Sequence, residues 1–287
     1  MRKFMALIKK DYYISKKSLM VPIWITLGFY GMMLLSSLLP LISGKVTWNT
    51  MLNFNTNEMD AISPMINYVV NYFAVIGAGV LAVLSSIMIS QSALNEDFRR
   101  NFELFHRTQP ISIWLKSLSK FTVAIIGSWL VLFAVSILNF IIINLFLLIW
   151  HQFVPNMAFI AFFQGLVIYM KAVVVIVALG FFASAMFKDK AFFTGLGVLL
   201  GIHIFLVMLN TFFNLHIPLP FNLIAKLLFI DTAADITNTT ELDALMKIIH
   251  TNWKTILFNM QTVYQLLVST ALFVISTYIY KSKEIKI

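Results

Sequence analysis

The sequence predicts an all-α polytopic membrane protein with six transmembrane helices, and three observations carry that prediction. Hydrophobic residues make up 60% of the chain and charged residues only 11%, against about 25% charged in a soluble domain. Too little charge is present to cover a soluble surface. Several mainly apolar runs exceed the ~18–20 residues that cross a bilayer. Finally, Lys and Arg are concentrated in alternate connecting segments, the pattern expected when positive loops stay on the cytoplasmic side.

The apolar runs fall at about 19–42, 67–90, 121–149, 158–186, 191–215 and 260–280. Sixteen of the 21 Lys and Arg lie in residues 1–18, in the 91–120 loop, in the "KDK" turn and in the tail, whereas 43–66, 150–157 and 216–259 together hold four. Both termini are therefore predicted to be cytoplasmic, with 216–259 as an extracellular segment. The whole of 1–287 reads as a single transmembrane domain. The net charge of +9 lies mostly beside the membrane, where it meets anionic headgroups, so nucleic acid is not an expected partner. The chain has no cysteine, which excludes disulfide and thiolate chemistry. The basic start is followed by a run long enough to remain as a span, so a cleaved signal peptide is not expected.

Two cytoplasmic segments are patterned. In "MRKFMALIKKDYYISKK" a step of 100° per residue gathers Phe4, Met5, Leu7, Ile8 and Tyr12 on one arc and the basic residues on the other. Residues 1–18 thus read as an amphipathic helix lying in the membrane interface, lipids being its partner. Asp11 alone falls on the apolar side. In the second segment, Leu94, Phe98, Phe102 and Phe105 form a narrow apolar stripe, with Glu96, Arg99, Arg100, Glu103 and Arg107 around the rest. That helix should stop before Pro110, and "IWLKSLSK" reads as a second short helix leading into the third span. The stripe suits either packing against the chain's own spans or docking to another protein.

Motifs for chemistry are missing. The sequence has no GxxxxGK[ST], HExxH or GxSxG run. No Asp or Glu falls within a span, which weighs against proton-coupled transport. His106, His151, His203, His216 and His250 have no metal-ligand spacing. An enzyme active site, a metal and a cofactor within this chain are not expected.

Taken with Glu96, the "NFEL" of Asn101–Leu104, the "PIS" of Pro110–Ser112 and Lys120, the chain resembles the type-2 permease subunits of ATP-binding-cassette (ABC) exporters. The resemblance extends over the amphipathic start, six spans and a longer last outer loop. The family's glycine is absent, with Arg100 or Asn101 in its place. The resemblance implies a pore-forming permease, paired with a second copy or a paralogue. Two separate nucleotide-binding subunits would hold the ATP and Mg. It implies that 91–120 is a cytoplasmic coupling region, its helix from Leu94 to Arg107 docking on the ATPase. It also implies re-entrant or interfacial helices in 216–259, and a bacterial cytoplasmic membrane.

Within the spans, Lys171 interrupts the fourth run. A central lysine costs on the order of 3 kcal/mol on insertion scales, which the surrounding aliphatic residues offset. Gln164, Lys171, Ala178 and Ala185 recur every seven residues and predict a face turned into the bundle. Gln164, Lys171, Asn139 and Asn210 are candidate translocation-path residues. Lys171 bonded to backbone carbonyls or asparagines is the competing reading. Gly197 and Gly201 predict close helix packing, and His203 is expected to be hydrogen-bonded. The segment from "HIPLPF" should be interfacial or re-entrant, and "TNTTELDALMKIIH" a surface helix. The rival functional readings are a secondary transporter with Lys171 as its charged site, and a non-transporting membrane assembly protein.

Overall fold

The computed structural model describes residues 2–42, 63–95, 111–149, 152–187, 190–228 and 256–285. These form seven helices and no strand: α1 (Arg2–Ile42), α2 (Ser63–Ala93), α3 (Ile113–Ile149), α4 (Pro155–Met186), α5 (Ala191–Phe213), α6 (Pro220–Leu228) and α7 (Met260–Ile285). Six of them are long and apolar enough to cross a membrane. The protein is a multi-pass helical membrane protein in architecture.

Two elements differ from the sequence reading in extent. The basic start and the first apolar run are one uninterrupted helix of 41 residues, about 60 Å long. The "IWLKSLSK" stretch is likewise the first two turns of α3. No proline or glycine falls between residues 9 and 21 or between 113 and 126, so nothing interrupts the helix at either junction and it propagates.

Side-chain pairings fix helix direction. Val75 faces Gly165, Gly79 faces Tyr169, Ser90 faces Gly180 and Leu94 bonds Ser184, each pair 90 residues apart. A constant separation means that α2 and α4 run parallel in fixed register. Asp11 with Ser119 and Leu19 with Gly127 are 108 apart, and Tyr30 with Asn139 is 109 apart, so α1 and α3 are parallel too. Lys171 with Thr262 and Phe181 with Phe273 place α7 parallel to α4. α3 runs the opposite way to both its neighbours, Lys120 meeting Ala93 of α2 and Phe140 meeting Phe159 of α4.

The centre is the α2–α4 seam, with α3 against both, α7 on α4 and α1 on α3. Small residues line this seam: Ala78, Gly79, Ala82, Ser85, Ser86 and Ser90 from α2 and Gly165, Ala172, Gly180 and Ser184 from α4, all buried. In lipid, helix association comes from such close backbone approach rather than from apolar burial. Around it cluster Val75, Val131, Leu132, Val135, Phe162, Leu166 and Val173.

α5 is the outlier. Ala191 is its one buried residue, and nothing lies within 4 Å of where a side chain at Gly197 or Gly201 would stand. The close packing expected of those two glycines is not made among the described residues. His203 does not bond as expected either: its ring lies 4.9 Å from that of Phe221, and its Nδ1 has no hydrogen-bond partner.

The glycines of the seam and of α5 should therefore respond in opposite ways. A β-carbon at Gly165 would stand 2.7 Å from Val75 Cγ1, and one at Gly180 would overlap the Ser90 hydroxyl. Gly180→Val is expected to cost about 1–3 kcal/mol by overpacking, while Gly201→Val should change stability by less than about 0.5 kcal/mol. Thermal unfolding in detergent compares them, and equal losses would contradict the seam.

Candidate functional site

Three helices are tied together where α2 ends. The last carbonyls of a helix have no partner within it, and a cation there also meets the negative end of the helix dipole. Lys120 of α3 supplies one, its Nζ donating to the Ala93 carbonyl at 2.6 Å. Beyond it the Leu94 N–H donates to Ser184 Oγ of α4 at 3.1 Å, and the Asn95 side-chain amide donates to the Phe187 carbonyl. From the position next to Lys120, the Ser119 hydroxyl donates to the Asp11 carboxylate at 2.7 Å, which brings in α1.

The charges in this knot are buried: Asp11 is 6% exposed, Lys116 and Lys120 9% each. Burying a charge is costly unless it is paired or bonded, so this arrangement is well specified. Asp11 and Lys120 also face each other across a small cavity lined by Ser15, Ile89 and Ala93. Asp11, the residue that spoiled the amphipathic pattern, thus belongs to the bundle. The buried stripe of α1 runs through Leu7, Asp11, Leu19, Pro22 and Thr26, while Met5 and Tyr12 are exposed.

Of the predicted coupling residues, Leu94 is fully buried in the chain's own core with Ala93, Phe181, Ala185 and Tyr280. It anchors the segment rather than offering a docking surface. Glu96, Phe98, Arg99, Arg100, Phe102, Glu103, Phe105 and Arg107 lie outside the described residues, as do the predicted surface helix in 238–250 and the 43–62 connection.

The four candidate path residues are each satisfied separately. Gln164 accepts a hydrogen bond from the Tyr68 hydroxyl at 2.7 Å. Asn139 accepts from the Tyr30 hydroxyl and donates to the Ala74 carbonyl, both at 2.9 Å. Asn210 exchanges bonds with the backbone of Ile217, closing the turn after α5. Lys171 donates to the Ile256 carbonyl and to Thr262 Oγ1, the latter at 2.7 Å. No hydrogen bond joins any two of the four. The face bearing Gln164, Lys171, Ala178 and Ala185 does turn inward, three of these residues being buried and Lys171 half-buried.

Sequence reasoning missed a second polar cluster near the start of α2. Asn71 and Asn144 exchange side-chain bonds at 3.2 and 2.8 Å. Asn67, one turn earlier, bonds the Ser63 and Gln152 carbonyls and accepts from the Val154 N–H. Two asparagines four residues apart on an otherwise apolar run were the available signal. Among the described residues no three His, Cys, Asp or Glu side chains are grouped to hold a metal. The assembled groups are donors and acceptors that join helices.

Comparison with known proteins identifies no relative: no family model matches the sequence, and neither curated proteins nor solved structures give a match.

Removing the knot's donor and acceptor one at a time tests its weight. Lys120→Met strands the Ala93 carbonyl and should cost about 1–3 kcal/mol. Asp11→Asn keeps an acceptor for Ser119 and should cost less than Asp11→Leu. Thermal unfolding of the three variants in detergent gives the ranking.

Proposed function

We propose that this chain is the membrane-spanning permease subunit of an ABC exporter in a bacterial cytoplasmic membrane, with both termini cytoplasmic. It would form the translocation path with a second permease, a copy or a paralogue, and be driven by two separate ATP-binding subunits. The observation that carries this reading is where the charged segment departs. Residues 96–107 follow directly on Asn95, and the backbone of Ala93 and Leu94 with the Asn95 side chain is bonded to α3 and to the end of α4, with α1 joined through Asp11 and Ser119. A displacement imposed on that segment reaches four spans at once, which is what coupling to an external motor requires. The order of Glu96, "NFEL", "PIS" and Lys120 supports the same reading, and the knot gives Lys120 a physical task in it.

One observation favours a rival. Lys171 is a cation within a span whose partners are both neutral, as a secondary transporter's charged site would be. That reading predicts gradient-driven transport without an ATPase. A membrane assembly protein predicts neither.

Affinity purification from native membranes in mild detergent separates these readings. A nucleotide-binding subunit should accompany the wild type and be lost from Phe98→Asp and Phe102→Asp. Lys120→Met should keep the ATPase bound while lowering the hydrolysis that the permease stimulates, because the connection behind the docking segment is loosened. If no ATPase accompanies the wild type, the exporter reading is wrong.

A further inference from the structure

The helices of the bundle do not all begin at one level. Thr262, two residues into α7, bonds Lys171, which lies sixteen residues past Pro155, the first residue of α4. That is about 24 Å along α4. Because α2 and α4 start together, Asn67 bonding the Val154 N–H, α7 starts far below both. α6 is set low as well. Phe221 lies against His203, ten residues before the end of α5. The last carbonyls of α6, those of Lys226 and Leu227, accept from Gln261 and Gln265 of α7. The bundle therefore has a step, its tread formed by α6 and the start of α7 and its riser by the first half of α4.

Lipid is a poor occupant for that step. None of α6 is buried, Asn222 and Lys226 are exposed, and the backbone at 258–259 leaves the helical path with Phe258 87% exposed. Irregular backbone at membrane depth persists only where protein covers it or water reaches it. Among the described residues nothing covers it. Just below, Gln265 Oε1 and Ser269 Oγ, on side chains 5% and 3% exposed, have no hydrogen-bond partner, and water entering from the step would supply one.

We propose that this step is a water-filled vestibule, open on the side where α2 and α4 begin, with the Lys171 ammonium at its floor drawing in anionic groups. Lys171 and Lys226 give it a positive lining, and a cleft with low-dielectric walls concentrates counter-ions. The proposal is independent of the energy source and goes beyond the permease reading.

The chain has no cysteine, so single-cysteine labelling needs no background removed. Asn222→Cys, Thr262→Cys, Val263→Cys and Ser282→Cys would be exposed, in sealed vesicles of both orientations, to membrane-impermeant thiosulfonates bearing a sulfonate or a quaternary ammonium. Asn222→Cys and Thr262→Cys should react from the side opposite to Ser282→Cys, at the far end of α7, and Val263→Cys on the adjacent apolar face should not. In Thr262→Cys the sulfonate reagent should be the faster, and adding Lys171→Met should lower its advantage by up to on the order of tenfold. Elution as a single monodisperse peak shows that each variant is folded. Thr262→Cys inert from both sides while Asn222→Cys reacts would overturn the vestibule. An unchanged reagent ratio in Lys171→Met would overturn the role of Lys171.

Discussion

Everything else in the bundle depends on the 90-residue register between α2 and α4. From Val75 opposite Gly165 to Leu94 bonded to Ser184, the two helices keep step over twenty residues, about 30 Å. That is close to the thickness of the hydrocarbon core. Glycine, alanine and serine make the approach close enough for dispersion and weak polar contacts to hold helices that gain nothing from leaving water. Because the register is fixed, the events at its two ends are coupled. At one end Tyr68 bonds Gln164 and Asn67 holds the start of α4; at the other Leu94 and Asn95 are fastened to Ser184 and Phe187.

That coupling gives the knot beneath the seam its significance. Lys120 could have reached solvent by extending its stem, yet it turns in to the Ala93 carbonyl and Asp11 turns in to Ser119. Both charged side chains are over nine-tenths buried. Removing one partner from a buried arrangement costs more than the pair contributes, so such sites tend to specify one geometry. Here the geometry specified is that of Leu94 and Asn95 at the end of α2, the point at which, in the permease reading proposed above, a docked motor would act.

The sequence carried the spans well because a run of apolar residues is a local property, read directly against bilayer thickness. Four of the six predicted spans start and end within about five residues of the observed helices; α1 and α3 begin 17 and 8 residues earlier because no proline or glycine falls at either junction. Asp11 shows why the site was harder. On a helical wheel it is an error in an amphipathic pattern, and only the partner helix reveals it as the inward-facing group. Lys120 was visible through its place in a motif, but its acceptor, a backbone carbonyl 27 residues away, leaves no trace in side-chain pattern. Gly197 and Gly201 mark the opposite failure. The motif is present, and the face it would pack is open.

The same logic bears on the step above Lys171. A helix starting some 24 Å along its neighbour leaves its first N–H groups and the carbonyls of the preceding turn at a depth where lipid offers no partners. Lys171 answers part of that need by bonding the Ile256 carbonyl and Thr262, and Gln261 and Gln265 answer another part by bonding the end of α6. These three side chains explain how α7 can begin where it does without a full crossing behind it. They also fix the polarity of the region: what they satisfy is backbone acceptors, so the ammonium charge itself is solvated but not neutralised. A cation held in that state, half-buried beside a surface that no described residue covers, is the physical reason to expect water and anions on that side of the bundle rather than acyl chains.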